Sequence, residues 1–266
     1  MASRPAIIAL VALALCGCKS IRSVRMTPDR PLALTAEEAG KLRDEGWKLY
    51  AEQPRTLIRV TRAAQLLDQA ARAQRDDFDA VWQATQALAF LAENETRPPF
   101  KLDAAKRAVV LAGHARELRL DRVEGQYWYA IAVGLLADAD RGYGLSAVGE
   151  MELALKRAME IDERYDFGGP LRTLGILHLR APAPPVSIGS PRRGLKLLQR
   201  ATELFPDYPE NYLYLAEALR DNGRADEARV AIENVLNAPA WPDRQFESVQ
   251  WKAQARQLQA SLSSTP

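Results

Sequence analysis

The sequence predicts an all-α chain built as an array of stacked helix pairs, and three observations carry that prediction. One short pattern recurs at equal spacing: Ala115-Arg116-Glu117-Leu118, Ala158-Met159-Glu160-Ile161 and Ala201-Thr202-Glu203-Leu204, each 43 residues after the last. A fixed period of this size marks a solenoid, in which each helix pair buries its apolar face on its neighbours. Alanine and leucine dominate the apolar residues while alternating β-branched runs are scarce, so the helical period prevails over the strand period. Prolines fall between the periodic stretches, where a missing N–H interrupts no helical ladder.

The elements follow in order. Thr35-Ala36-Glu37-Glu38 is a capping box, in which the Thr35 hydroxyl accepts from the Glu38 N–H and the Glu38 carboxylate accepts from the Thr35 N–H. It starts a helix over about 36–52, which Pro54 ends. Its partner spans about 56–74, with Ala63, Leu67 and Ala70 on one face. A second pair is expected at 77–93 and 102–119, interrupted by Pro98-Pro99. A third is expected at 122–137 and 145–161, and a fourth at 169–179 and 191–204. A last helix, about 243–262, has no partner and caps the open end that a solenoid must cover.

The fifth pair, from Pro209 to Val235, is the clearest, and it resembles the 34-residue tetratricopeptide repeat. Tyr212, Leu215, Ala216, Leu219, Gly223, Ala228, Ile232 and Val235 match the successive signature positions. Small Ala216 and Ala228 let two helices approach closely, and Gly223 permits a positive φ in the turn. The fold class is therefore a right-handed superhelical array of about five tetratricopeptide-like helix pairs plus a C-terminal capping helix. From Ala201 to Val235 is 34 residues, so the earlier repeats are longer by nine. In the fourth, Gly175 and Gly194 stand 19 apart where Ala216 and Ala228 of the fifth stand 12 apart. The surplus is expected in enlarged loops at 181–190, at 138–145 and around 94–100, at one end of the stack, where recurrent insertions build binding surfaces.

The first residues address the compartment. A single cationic residue, Arg4, precedes a short apolar run over 5–15, and Leu15-Cys16-Gly17-Cys18 closes it. A bilayer core of roughly 30 Å needs about 20 apolar residues, so this run reads as a cleaved signal. Its last four residues resemble a bacterial lipobox, with Cys18 as the lipidated residue. An ordinary secretory signal cut elsewhere is the alternative, but the nearby Ala12-Leu13-Ala14 lies inside the apolar run. Lys19 resembles the residue that follows the lipidated cysteine in lipoproteins sorted to the outer membrane, with the inner membrane as the other destination. The expected organisation is a signal peptide over 1–17, a lipidated linker over 18–34, a helical domain over 35–262 and a disordered tail over 263–266.

Composition narrows the function classes. The chain holds 36 Lys and Arg against 34 Asp and Glu, too balanced to track a nucleic-acid backbone. Both cysteines fall in the signal segment, so a disulfide framework or Cys-based metal site is excluded after cleavage. Two isolated histidines, His114 and His178, make no metal cluster. Asp166-Phe167-Gly168 imitates a kinase tripeptide without the accompanying motifs, and neither G-x-S-x-G nor H-E-x-x-H occurs. No cofactor is expected, and a binding protein is favoured over an enzyme.

Most of the chain is similar to a family of tetratricopeptide lipoproteins, the TatT component associated with TRAP (tripartite ATP-independent periplasmic) transport. The resemblance rests on Tyr165 through Gly175, Ala181-Pro182, Ser187, Gly189, Pro206 through Asn211 and Leu215-Ala216-Glu217, with Tyr127-Trp128 and the lipobox upstream. It implies a non-enzymatic periplasmic protein of about eleven helices that partners a solute-binding protein, with a homo-oligomer open and a small, rather apolar ligand in a cleft or channel. A tetratricopeptide scaffold for outer-membrane or envelope assembly, holding a partner peptide, is the alternative.

The aromatic residues Trp82, Trp128, Tyr127, Tyr129, Tyr212 and Tyr214 fall on first helices of pairs, where they either line a cleft or pack between helices. Tyr214 lies off the signature stripe and is the better ligand candidate. The candidate ligand or partner residues are Tyr129, Arg172, His178, Asn211, Tyr214, Glu217 and Ser187. Glu217 is a candidate partner for Arg172, or else an exposed carboxylate. His178 is either a packing histidine or a contact, and Ser187 sits in a lid or a plain connector. Gly168-Gly169-Pro170 reads as a helix start, with proline in the first turn where its missing N–H costs nothing.

Overall fold

The computed structural model describes residues 19–24 and 32–263. Cys18, the signal peptide, part of the linker and residues 264–266 lie outside the described residues, while Ser263, expected in the tail, ends the last helix. The described residues form eleven α-helices and no strand: α1 (Ala36–Ala51), α2 (Leu57–Ala73), α3 (Phe78–Asn94), α4 (Pro98–Leu118), α5 (Val123–Ala139), α6 (Gly144–Asp162), α7 (Tyr165–Arg180), α8 (Pro191–Leu204), α9 (Pro209–Asp221), α10 (Ala225–Asn237) and α11 (Gln245–Ser263). Helices α1 and α2, α3 and α4, α7 and α8, and α9 and α10 pair as expected, and α11 packs on α9 and α10 as a final single helix. Two compact units result, one up to Ile161 and one from Asp162 onward.

Local sequence explains the boundaries. At Thr35 the capping box forms in full, with the Thr35 hydroxyl accepting from the Glu38 N–H and the Glu38 carboxylate accepting in return. Thr56, Asp77 and Ser190 cap α2, α3 and α8 through their side chains, each worth roughly 1 kcal/mol to its helix. Gly223 takes φ +75° in the turn after α9, as the tetratricopeptide pattern requires.

The 43-residue spacing has a different origin from the expected loops. Pro98 and Pro99 do not interrupt anything; they are the first two residues of α4, which runs for 21 residues. At helix positions whose N–H groups have no partner, proline's missing donor is harmless, and its fixed φ favours the start. Residues 138–145 are likewise structured: α5 continues to Ala139, a 3-10 turn covers Arg141–Tyr143, and α6 begins at Gly144 and runs for 19 residues. The Asp140 carboxylate accepts from the Gly142 N–H and makes that turn tight. By comparison α9 and α10 have 13 residues each, so the surplus of the second and third repeats went into longer helices. Of the three expected loops, 181–190 alone is an extended connection.

In the first unit Trp82 packs edge-on against Trp47 at 5.4 Å and donates to Asp79, while Trp128 and Tyr127 are buried against each other. In the second unit α7 and α8 meet at Gly175 and Gly194. A Cβ on Gly194 would lie 2.8 Å from the Gly175 carbonyl oxygen, and one on Gly175 would lie 2.8 Å from Leu198. The missing side chains let these helices close to backbone contact.

Candidate functional site

Within the second unit, charged and aromatic residues gather at the N-terminal ends of α7 and α9 and the start of α11. The origin lies in the backbone. Asp166, Phe167 and Gly168 all adopt left-handed conformations, with φ of 49°, 56° and 79°, and regular helix resumes at Gly169-Pro170. For residues other than glycine this region costs roughly 1–2 kcal/mol each, and it persists only where the surroundings over-determine it.

Those surroundings are specific. Arg172, only 3% exposed, lies in the first regular turn of α7, and its guanidinium reaches back to the carbonyl oxygens of Asp166 and Phe167 at 3.3–3.4 Å. It also donates to Asn211 Oδ1 at 2.9 Å and pairs with Asp166 Oδ2 at 3.3 Å and Glu210 Oε2 at 3.0 Å. Asn211 completes the clasp by donating to the Phe167 carbonyl and the Ala201 carbonyl, both at 3.1 Å. Arg244, from the 3-10 turn ahead of α11, holds the other oxygen of Asp166 at 2.5 Å. Two carboxylates thus face two guanidinium groups.

Aromatic rings close over the cluster. Phe167 stacks on Tyr208 at 4.6 Å, Trp241 meets both at 5.1 Å, and Trp251 meets Tyr208 at 5.4 Å. Burial raises the Glu210 carboxyl above its ordinary value, and the Arg172 charge opposes that rise. Burial likewise lifts the Tyr208 phenol well above its usual range, with the Glu210 charge adding to it. A buried ion pair is weak as a source of stability, because desolvation offsets attraction. Its value lies in position: it fixes the left-handed turn, and with it the start of α7, against α9 and α11.

The structure brings Arg172 and Asn211 together and separates the other candidates from them. Glu217 does not reach Arg172; it pairs with Arg180 at 2.7 Å, which lies two helical turns further along α7, where α9 residues past Asn211 come alongside. Tyr214 is 1% exposed, with the Arg180 guanidinium 6.0 Å from its ring. Its place off the signature stripe leads to the core, whereas Tyr212 is half-buried. His178 is buried, its Nδ1 is 3.0 Å from the Ile188 carbonyl oxygen, and its own carbonyl accepts from the Ser190 N–H. It fastens the 181–190 connection from behind. Half-buried Ser187 donates its N–H to Ala183, and Ala183 through Val186 are exposed.

Tyr129 belongs to the first unit. Its hydroxyl donates to Glu150 at 3.3 Å and the Arg116 guanidinium lies 4.2 Å from its ring. Burial, reinforced by the Glu150 charge, pushes its phenol up to about 12. Sequence reading missed Asp166, Glu210, Tyr208, Trp241 and Arg244. Asp166-Phe167-Gly168 supplies the left-handed turn and a carboxylate. The signal for Tyr208 and Glu210 was Pro206 through Asn211, a run already distinctive, whose Asn211 meets Arg172 and Phe167 from 39 and 44 residues away in sequence.

Helix pairs with small residues at their crossings, a positive φ at Gly223 and a single final helix define a tetratricopeptide-like repeat protein. The chain belongs to the TRAP transporter T-component family, whose pattern matches residues 48–264. It is thus an accessory TRAP component built on a helical-repeat scaffold. No curated protein matches the sequence. Among solved structures it is similar to TTC0263, a thermophilic TPR protein of Thermus thermophilus, with 19% identity over 85% of this chain and 97% of that one and a TM-score of 0.57. It is also similar to the MamA RS-1 ArsTM double mutant, with 14% identity, coverage of 86% and 98%, and a TM-score of 0.51. At such identities the likeness concerns the fold alone.

Proposed function

We propose that this protein is a lipid-anchored accessory component of TRAP-type solute uptake at the periplasmic face of the outer membrane. There its helical-repeat surface engages a periplasmic solute-binding protein and a small, rather apolar ligand, and it acts by binding rather than by catalysis. The observation that carries this reading is the family match, which spans both compact units. The buried charges at Asp166, Arg172, Glu210 and Arg244 are engaged with one another, which suits a positioning role. The 181–190 connection, braced by His178 and tipped by exposed Val186, is the partner contact we assign, with Ser187 inside it. Among the described residues no helix is long and apolar enough to cross a membrane, and Cys18 is the assigned anchor.

Native mass spectrometry of the protein purified from the envelope under mild conditions tests the proposal. A co-purifying solute-binding protein that is lost on replacing Val186 and Ser187 by Asp supports it. Recovery instead of an outer-membrane assembly factor with a bound peptide segment overturns it.

A further inference from the structure

Residues 19–24 form no free linker. The Lys19 N–H donates to the Gly142 carbonyl at 2.9 Å, and its ammonium reaches Asp140 at 2.6 Å and lies 5.5 Å from the Tyr143 ring. Ile21, 2% exposed, donates its N–H to Ser146 Oγ at 2.9 Å. Arg22 donates to Glu150 at 2.7 Å, the carboxylate that Tyr129 also uses, and Val24 is buried. Ser146 and Glu150 are four residues apart and so share one face of α6. The segment therefore runs along α6 in the same direction, with Lys19 at the start, beside the 3-10 turn, and Val24 further on.

The Lys19 end of the segment is held at the connection between α5 and α6, and consecutive Cα atoms across a trans peptide are about 3.8 Å apart. A flexible tether of 17 residues, from 18 to 34, would wander by roughly 5–6 Å times the square root of its length, about 23 Å. The docked segment removes nearly all of that freedom. The same connection exposes Arg141 and, at the second residue of α6, Leu145. A cationic head beside an apolar side chain suits the boundary between lipid headgroups and acyl chains.

We propose that residues 19–24 are a rigid stem that clamps the lipidated Cys18 to the α5–α6 connection, so that this end of the first unit faces the lipid bilayer. The inference rests on the lipid-anchor part of the proposed function. The opposite end of α5, 17 residues and about 25 Å away, then points from the membrane with Asp121 at its tip.

The test uses the full mature chain, which after acylation of Cys18 holds no other cysteine. A fluorophore on Leu145→Cys or on Asp121→Cys is read in vesicles of phosphatidylethanolamine and phosphatidylglycerol carrying a headgroup quencher, with acylation verified by mass. The expected result is loss of signal for the label at 145 and retention at 121, the difference vanishing when Lys19→Gly and Ile21→Asp release the stem. Equal quenching at both positions in the otherwise unaltered acylated chain overturns the proposal. If mass shows no acyl group, the anchor reading fails, and amide exchange judges the stem by itself. Protection of the Lys19 and Ile21 N–H groups by at least about tenfold over a free peptide upholds the stem, and free-peptide exchange refutes it.

Discussion

Replacing Arg172 by Met should unseat the left-handed turn through charge rather than size. Met fills much of the same volume, but the substitution leaves two carboxylates with unequal fates. Asp166 keeps Arg244 at 2.5 Å, whereas Glu210, 12% exposed, loses its ion pair with Arg172 and is left with the Tyr208 hydroxyl at 3.3 Å and the weaker attraction of the Arg244 charge. Removing one partner of a buried pair costs about 3–5 kcal/mol because the other charge stays buried. Adding Glu210→Gln removes that charge and should leave about 1–2 kcal/mol, from the lost bonds to Asn211 and the turn carbonyls. The coupling between the two positions is then roughly 2 kcal/mol or more. Urea titration followed by pulsed amide exchange in α7 and α9 measures both variants within the second unit. A loss below about 1 kcal/mol for Arg172→Met, or equal losses for single and double variants, would refute the claim that Arg172 exists to neutralise Glu210.

Because burial raises Glu210 above its unfolded value, its contribution is full below the ordinary carboxylate range and is lost as pH rises through its folded pKa. Wild type should therefore gain stability relative to Glu210→Gln on acidification from pH 7 toward about 4.5; a flat or falling difference contradicts the assignment. Glu95 behaves oppositely, since hydrogen bonds from the Arg97 side chain and backbone bring it down to about 2, and Arg97→Ala should return its carboxyl titration, followed by NMR, toward the ordinary value. In the 181–190 connection a Cβ on Gly189 would lie 2.0 Å from the Ala181 carbonyl oxygen. Gly189→Ala should cost about 1–3 kcal/mol and expose the Ser190 N–H, now bonded to His178, to rapid exchange. Unchanged protection there would show that the connection is not braced as described.

The helices were legible in the linear pattern. Periodicity, the Thr35 capping box and the proline stops place all eleven within a few residues, because such signals act over one or two turns. The pattern also located the fifth repeat, whose Gly223 and Ala228 have a local geometric purpose, and it singled out Arg172 and Asn211. It could not tell whether surplus residues become loop or helix. Pro98-Pro99 is compatible with either until packing selects the helix start, and the 43-residue spacing is the same in both cases.

The partners, by contrast, were chosen by the folded chain. Arg172 lies six residues from Asp166 and 38 from Glu210 in sequence, and nothing in a linear pattern favours Glu210 over Glu217 as its counter-ion. The choice is made by the left-handed turn, which sets where α7 begins and hence which part of α9 it meets; Glu217 then falls to Arg180. Tyr214 went to the core and Lys19 to the α5–α6 connection for the same reason. Helix formation answers to neighbours a turn away, while ion pairing and burial answer to whatever tertiary packing brings within a few ångströms.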